Sequence, residues 1–307
     1  MGTPARIFAA AALIAASMTC TAQTRWQQRP AAHAMGVGRQ VDPAQLPPGI
    51  TILHDVRYGD HAGETFDVYA PRGAHGAPVI FMVHGGGWRR GDKAARGVVQ
   101  NKVAHWVPRG FVVVSVDYPM LPETPPLQQA RDVAMALAAA QRDAPRWGGD
   151  PNRFVLLGHS AGAHLVSLIS AEPALATSHG ASPWLGTVAL DSAAYDITTI
   201  MQAPHLRLYD VAFGPDPAAW AAVSPIVQLH AKIAPFLAVC SSRRADSCRQ
   251  AEAFATKARS LGAHVDVLPE DMRHREINEA LGEPSAYTTA VDRFLASLDP
   301  ALVARLR

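Results

Sequence analysis

An α/β fold, a mostly parallel central sheet with helices on both faces, is what this sequence predicts. Three observations carry the prediction. Short runs rich in Val, Ile and Leu recur along the chain, and the central ones are apolar throughout, as suits strands buried on both faces of a parallel sheet. Segments with apolar residues at helical spacing alternate with these runs. At 307 residues, 49% hydrophobic and 18% charged, the chain can bury a sizeable core and is too apolar for wholesale disorder.

The first segment stands apart from the rest. A single basic residue, Arg6, precedes an apolar run over 7–16 and then small residues, the layout of a secretory signal peptide over 1–22. A cut after Ala22 puts Cys20 and Ala22 at the two recognition positions, so the mature chain is expected to begin at Gln23, exported to a periplasmic or secreted location. The apolar run is too short to cross a bilayer, so no stable membrane span is expected in the mature protein. A lipoprotein anchored through Cys20 is the lesser alternative, because Ser17, Met18 and Thr19 do not form the usual lipobox.

Residues 23–48, rich in Gln, Ala, Arg and Pro, read as a flexible linker, and 49–307 as the folded domain. Strand-like runs lie at 50–58, 65–70, 78–85, 111–118, 153–160, 187–192, 235–242 and 264–270. Helix-like segments lie at 127–142, 161–171, 247–261 and 287–298. Residues 196–230 break the rhythm with short helical pieces, a small cap-like insertion that either covers the carboxyl ends of the strands or is a solvent-facing elaboration. Net charge is +2 with no basic block, so nucleic acid is not an expected partner. No His/Cys cluster has ligand spacing, and neither a metal nor an organic cofactor is expected.

Two motifs carry chemistry. Gly158-His159-Ser160-Ala161-Gly162 follows a strand and opens a helix, the setting of a nucleophile elbow. The turn strains the backbone at Ser160 and exposes its hydroxyl at the top of the sheet, with the Ala161 N–H aimed at the same space. His84-Gly85-Gly86-Gly87-Trp88 directly follows another apolar strand. Consecutive glycines let backbone N–H groups approach a ligand, so Gly85 and Gly86, with Ala161, are the expected oxyanion hole. His84 reads as a structural hydrogen-bonder, and Trp88 and His159 as substrate-pocket candidates.

With these motifs the chain resembles the α/β-hydrolases. More narrowly it is similar to the HGGG-carrying esterases: the hormone-sensitive-lipase-like group, the feruloyl and acetyl xylan esterase-like group and the kynurenine formamidases. The resemblance rests on HGGGWRRGD, VVVSVDYPMLPE, the helix carrying Asp132, GHSAGAHL and a late His before Glu-Ile-Asn, and it covers roughly 50–300. It implies the order nucleophile, acid, histidine. The late loop of HVDVLPEDMRHREIN then offers His274 as the base, whereas His264 opens the strand. The acid is expected in the loop after the strand at 235–242, which makes it Asp246, with Asp191, Asp266 and Asp271 as the alternatives.

That loop reads CSSRRADSC, a departure from the Gly-x-x-Asp turn of many such relatives. Removal of the signal peptide leaves Cys240 and Cys248 as an even pair in an oxidising compartment, which predicts a disulfide. The function expected is an exported serine hydrolase acting on small-acyl carboxylic esters through an acyl-enzyme. The alternatives are an arylformamidase-type amide hydrolase with the same triad and a catalytically silent binding protein on this fold.

Overall fold

The computed structural model describes residues 1–2 and 40–307, and the expected cleavage site, Cys20 and positions 23–39 of the expected linker lie outside them. Eight strands form one sheet in the order β1-β2-β4-β3-β5-β6-β7-β8. They are β1 (Ile50–Arg57), β2 (Thr65–Pro71), β3 (Ala77–Val83), β4 (Val112–Val116), β5 (Gly149–His159), β6 (Gly186–Leu190), β7 (Phe236–Ser241) and β8 (Val265–Glu270). Only β2 runs against its neighbours β1 and β4; the pairs from β4 through β3, β5, β6 and β7 to β8 are all parallel. This is the α/β-hydrolase fold.

Helices α1 (Arg96–Trp106), α2 (Pro126–Asp143), α3 (Ala161–Ala171) and α4 (Ala174–Thr177) precede the insertion. The insertion carries α5 (Ile197–Met201), α6 (Arg207–Phe213), α7 (Pro217–Ala222) and α8 (Pro225–Gln228), and α9 (Ser247–Ser260), α10 (His274–Glu279), α11 (Ala286–Leu298) and α12 (Pro300–Val303) follow it. Among the described residues no helix is long and apolar enough to cross a membrane.

The period of two along each strand divides the core. Phe81 and Val83 of β3 pack with Val133 and Leu137 of α2 and Leu165 and Leu168 of α3. Their neighbours Ile80 and Met82 face the other way, onto Val103 and Trp106 of α1 and Val291 and Leu295 of α11. Every residue of β3, β4, β6 and β7 is buried, which is why these strands read as continuous apolar runs. Helix α1 was not marked by the sequence. It has no side-chain cap, and polar Gln100, Asn101 and Lys102 interrupt its apolar spacing. Lys102 is nonetheless buried, its ammonium donating to the Asn278 carbonyl at 2.6 Å, and burial lowers its pKa to about 7.

Parallel registers bring the site together. Val83 stands opposite Gly158, His159 opposite Leu190, and Leu190 opposite Val239. The turns leaving β3, β5, β6 and β7 therefore open at one end of the sheet, in adjacent positions.

Candidate active site

Ser160 sits between the end of β5 and the start of α3 with φ 55° and ψ −116°. A non-glycine residue there is strained by about 1–3 kcal/mol. Packing imposes the conformation. A Cβ on Gly158 would meet the Gly162 carbonyl at 2.4 Å, and one on Gly162 would meet the Val83 carbonyl at 2.2 Å. Only glycine at both positions lets α3 rise so close to β3 and β5. The elbow is tied to the neighbouring strand by Ser160 N–H donating to the Leu190 carbonyl at 2.9 Å. The Ala161 N–H is the first of α3, where no intrahelical acceptor exists.

The 84–88 turn lies directly beside the serine: a Cβ on Gly85 would stand 2.9 Å from the Ser160 Cβ. Gly86 has φ 130° and a Cβ there would collide with the Arg90 carbonyl at 1.7 Å, so this tight reversal requires glycine. Behind it, the His84 carbonyl accepts from Tyr118 Oη at 2.9 Å, and His84 Nε2 lies 3.2 Å from Asp117. Lys93, buried, reaches Asp117 at 3.1 Å, Asp55 at 2.7 Å and Asp67 at 3.6 Å. Burial alone would lower the pKa of Lys93, but Asp117, Asp67 and Asp55 outweigh it and raise it. Asp117 shows the converse: burial would raise it, and His84 and Lys93 hold it below the usual carboxylate range.

Trp88 departs from its expected place in a substrate pocket. It is 3% exposed, with Phe213 and Tyr209 of the insertion at ring distances of 4.8 and 6.1 Å. Its indole N–H donates to His164 Nδ1 at 3.2 Å, while His164 Nε2–H donates to the Val223 carbonyl at 2.7 Å. Both bonds are satisfied by one neutral tautomer, and burial pushes His164 down to about 4. Trp88 and His164 thus pin the insertion to the turn; Leu208 of α6 would stand 3.1 Å from a Cβ on Gly87.

His274 is not in an open loop, as the sequence suggested, but is the first residue of α10, after a reversal in which Arg273 N–H donates to the Glu276 carboxylate at 2.7 Å. Its Nε2 lies 2.9 Å from Ser160 Oγ, and its Nδ1 lies 2.5 Å from Asp191 Oδ2. His159 supports it from beside: its Nε2–H donates to the His274 carbonyl at 3.0 Å, with the rings 4.6 Å apart. Burial, then the neighbouring His274, pushes His159 down to about 3, so it serves as a neutral packing partner of His274.

The acid partner of His274 is therefore Asp191, and the expectation of Asp246 is corrected. Asp191 follows β6, the strand next to that of Ser160, and is 0% exposed. Asp246 has a side chain 64% exposed and paired with Arg249, and it makes no capping hydrogen bond to α9. An acid after β7 lies one strand further from Ser160, and this one points to solvent. Asp266 pairs with His264, and Asp271 with Arg243, both at the surface.

The loop 240–248 contributes in another way. Ser241 N–H donates to Asp191 Oδ1 at 2.8 Å and Ser247 Oγ donates to the same oxygen. Arg244 Nη1 donates to Asp191 Oδ2 at 2.6 Å. Burial would raise Asp191, but the hydrogen bond from His274, the Arg244 charge and the Ser247 and Ser241 bonds hold it well below the usual carboxylate range. The Cys240 and Cys248 sulfurs lie at bonding distance, with Cα atoms 5.0 Å apart, and so close this loop at its base. Trp88, Ser160 and Asp191 are three of the four non-glycine residues with positive φ among the described residues, so backbone strain concentrates here. Among the described residues no cluster of His, Cys, Asp or Glu is arranged to hold a metal ion.

An α/β-hydrolase fold, a serine on a strained elbow and an HGGG turn beside it define a class. The BD-FAE family model matches residues 66–183. The chain is 32% identical over 130 residues to a probable isoprenylcysteine alpha-carbonyl methylesterase of Oryza sativa, a match spanning 42% of this chain and 31% of that protein. It is 28% identical over 246 residues to the probable carboxylic ester hydrolase LipM of Mycobacterium tuberculosis, spanning 72% of this chain and 54% of that protein. The chain thus spans between 31% and 54% of the length of these relatives. Among solved structures, esterase B of Lactobacillus rhamnosis superposes with a TM-score of 0.66 at 19% identity, over 84% of this chain and 89% of that one. A truncated carbohydrate esterase from gut microbiota superposes with a TM-score of 0.68 at 16% identity, over 87% and 99%. These matches support an HGGG-type esterase on the α/β-hydrolase fold.

Proposed function

We propose that this protein is a serine carboxylesterase whose triad is Ser160, His274 and Asp191. One observation carries the reading: Ser160 Oγ, His274 and Asp191 stand in a single hydrogen-bonded line of 2.9 and 2.5 Å, drawn from positions 114 and 83 residues apart in the chain. Ser160 Oγ attacks the ester carbonyl carbon as its proton passes to His274 Nε2. Asp191 accepts from Nδ1–H and stabilises the imidazolium that forms. The N–H groups of Gly85, Gly86 and Ala161 receive the oxyanion, each worth about 10²–10³ in rate. Collapse expels the alcohol with the proton from His274. Water, deprotonated by His274, then attacks the acyl-enzyme, and Ser160 is restored as the carboxylic acid leaves.

Esters rather than amides are favoured because the named relatives are ester hydrolases. Export, with a disulfide between Cys240 and Cys248, is part of the same reading and is supported by the layout of 1–22 and the closeness of the two sulfurs. Ser160→Ala tests the proposal. The purified, folded variant should lose p-nitrophenyl acetate hydrolysis and labelling by a fluorophosphonate. Near-wild-type turnover would rule Ser160 out as the nucleophile.

A further inference from the structure

The carboxylate oxygen that receives His274 Nδ1–H has a second donor. Arg244 Nη1 is 2.6 Å from Asp191 Oδ2, 3.2 Å from the Asp191 carbonyl oxygen and 2.9 Å from His274 Nδ1 itself. A guanidinium only donates. Where Nδ1 carries its proton toward Asp191, Arg244 and His274 share Oδ2. Where Nδ1 has lost it, Arg244 can donate to Nδ1, which leaves the proton on Nε2 and the ring unable to accept from Ser160. The carboxylate at 2.5 Å selects the first arrangement, since it can only accept. In either arrangement a fixed positive charge lies against the imidazole.

We propose that Arg244 is a positioning residue that shares Asp191 with His274 and opposes protonation of the resting imidazole, so that the base remains available at acid pH. The inference rests on the proposed triad. The loop holds Arg244 to this place: its N–H donates to the Ser241 carbonyl at 3.2 Å, its carbonyl accepts from Ser247 N–H at 3.3 Å, and both serines also bind Asp191. The guanidinium is 31% exposed, so its field is partly screened.

The charged and titratable groups around His274 sort as follows. Asp191 faces it from the end of β6, Arg244 from the loop after β7 and His159 from the end of β5. Lys102 of α1 acts on His159 from further away. Tyr209 of α6 lies within the field of Arg244, Asp191 and Asp246. Glu270 ends β8 and Asp271 follows it, with Asp271 engaged by Arg243 at 2.7 Å, and Arg273 and Arg275 flank His274 in sequence and pair with Glu276 and Glu279. Arg244 is the cation in contact with the ring.

The experiment is kcat/KM against pH for p-nitrophenyl acetate, with the rate of fluorophosphonate labelling at Ser160 as a second readout, for wild type, Arg244→Gln, Arg244→Met and Arg244→Lys. Loss of the cation should move the acid limb of both readouts to higher pH, since a like charge no longer opposes the charged ring. Arg244→Lys keeps the charge and should return the limb toward wild type. A neutral variant that folds and keeps the wild-type midpoint, whatever its plateau rate, would overturn the proposal, and the Gln and Met variants each serve for this. A wild-type protein that never labels at Ser160 would instead remove the triad on which the proposal stands.

Discussion

Two pieces of backbone flank the Ser160–His274 pair, and they are held by different means. The 84–88 turn rests on a charge cluster around buried Lys93: buried Asp67, the mostly buried Asp117 that reaches His84, and the exposed Asp55. Asp191 rests on a short surface loop, through Ser241, Arg244 and Ser247, whose two ends meet at Cys240 and Cys248. The first support is made of the fold's own core, so damage to it damages folding. The second is local and closes on itself, so it can be loosened while the sheet stays intact. The glycine turn is thereby coupled to global stability, and Asp191 to the integrity of one loop.

Breaking the first support should have the larger effect on stability. Lys93→Met leaves Asp67, fully buried, and Asp117 without their cation. Removing one partner of a buried ion pair costs about 3–5 kcal/mol, so the chemical denaturation midpoint should fall sharply. An unchanged midpoint would show that water or neighbouring groups compensate the carboxylates. The second support sharpens the contrast. Cys240→Ser with Cys248→Ser should cost about 2–3 kcal/mol, because it releases only a short loop in the unfolded chain. It leaves every reacting group in place, so turnover should fall far less than when Asp191 is changed. The mature protein recovered after export should begin near Gln23 and show no free thiol when denatured without reductant; two free thiols would end the disulfide assignment.

The contrast also marks what the sequence made legible. The central strands β3, β4, β6 and β7 stand where continuous apolar runs placed them, because burial on both faces leaves its signature in local composition. The elbow and the glycine turn were legible for a similar reason: each is a local backbone constraint written in consecutive residues. The acid was not, because a carboxylate's role depends on which strand ends are neighbours. Chain order put it after β7, but the hydrogen-bonded partner of His274 leaves β6, adjacent to the strand of Ser160. A signal was present. TVALDS places Asp191 at the end of a fully buried strand and before small residues, where water does not reach it. Asp246 instead stands near Arg243, Arg244 and Arg249, the company of a solvated carboxylate. Trp88 was misplaced because the aromatic rings that cover it come from α6, more than a hundred positions later in the chain.

The central claim is that Asp191, cradled by the loop that carries Asp246, orients His274. The most direct measurement is kcat for p-nitrophenyl acetate with Asp191→Asn and Asp246→Asn compared side by side, each verified as folded. Asp191→Asn should lose about 10⁴ in turnover, the loss typical of a triad acid replaced by its amide, while Asp246→Asn stays close to wild type. The reverse result, a 246 variant that fails while the 191 variant works, would contradict the account.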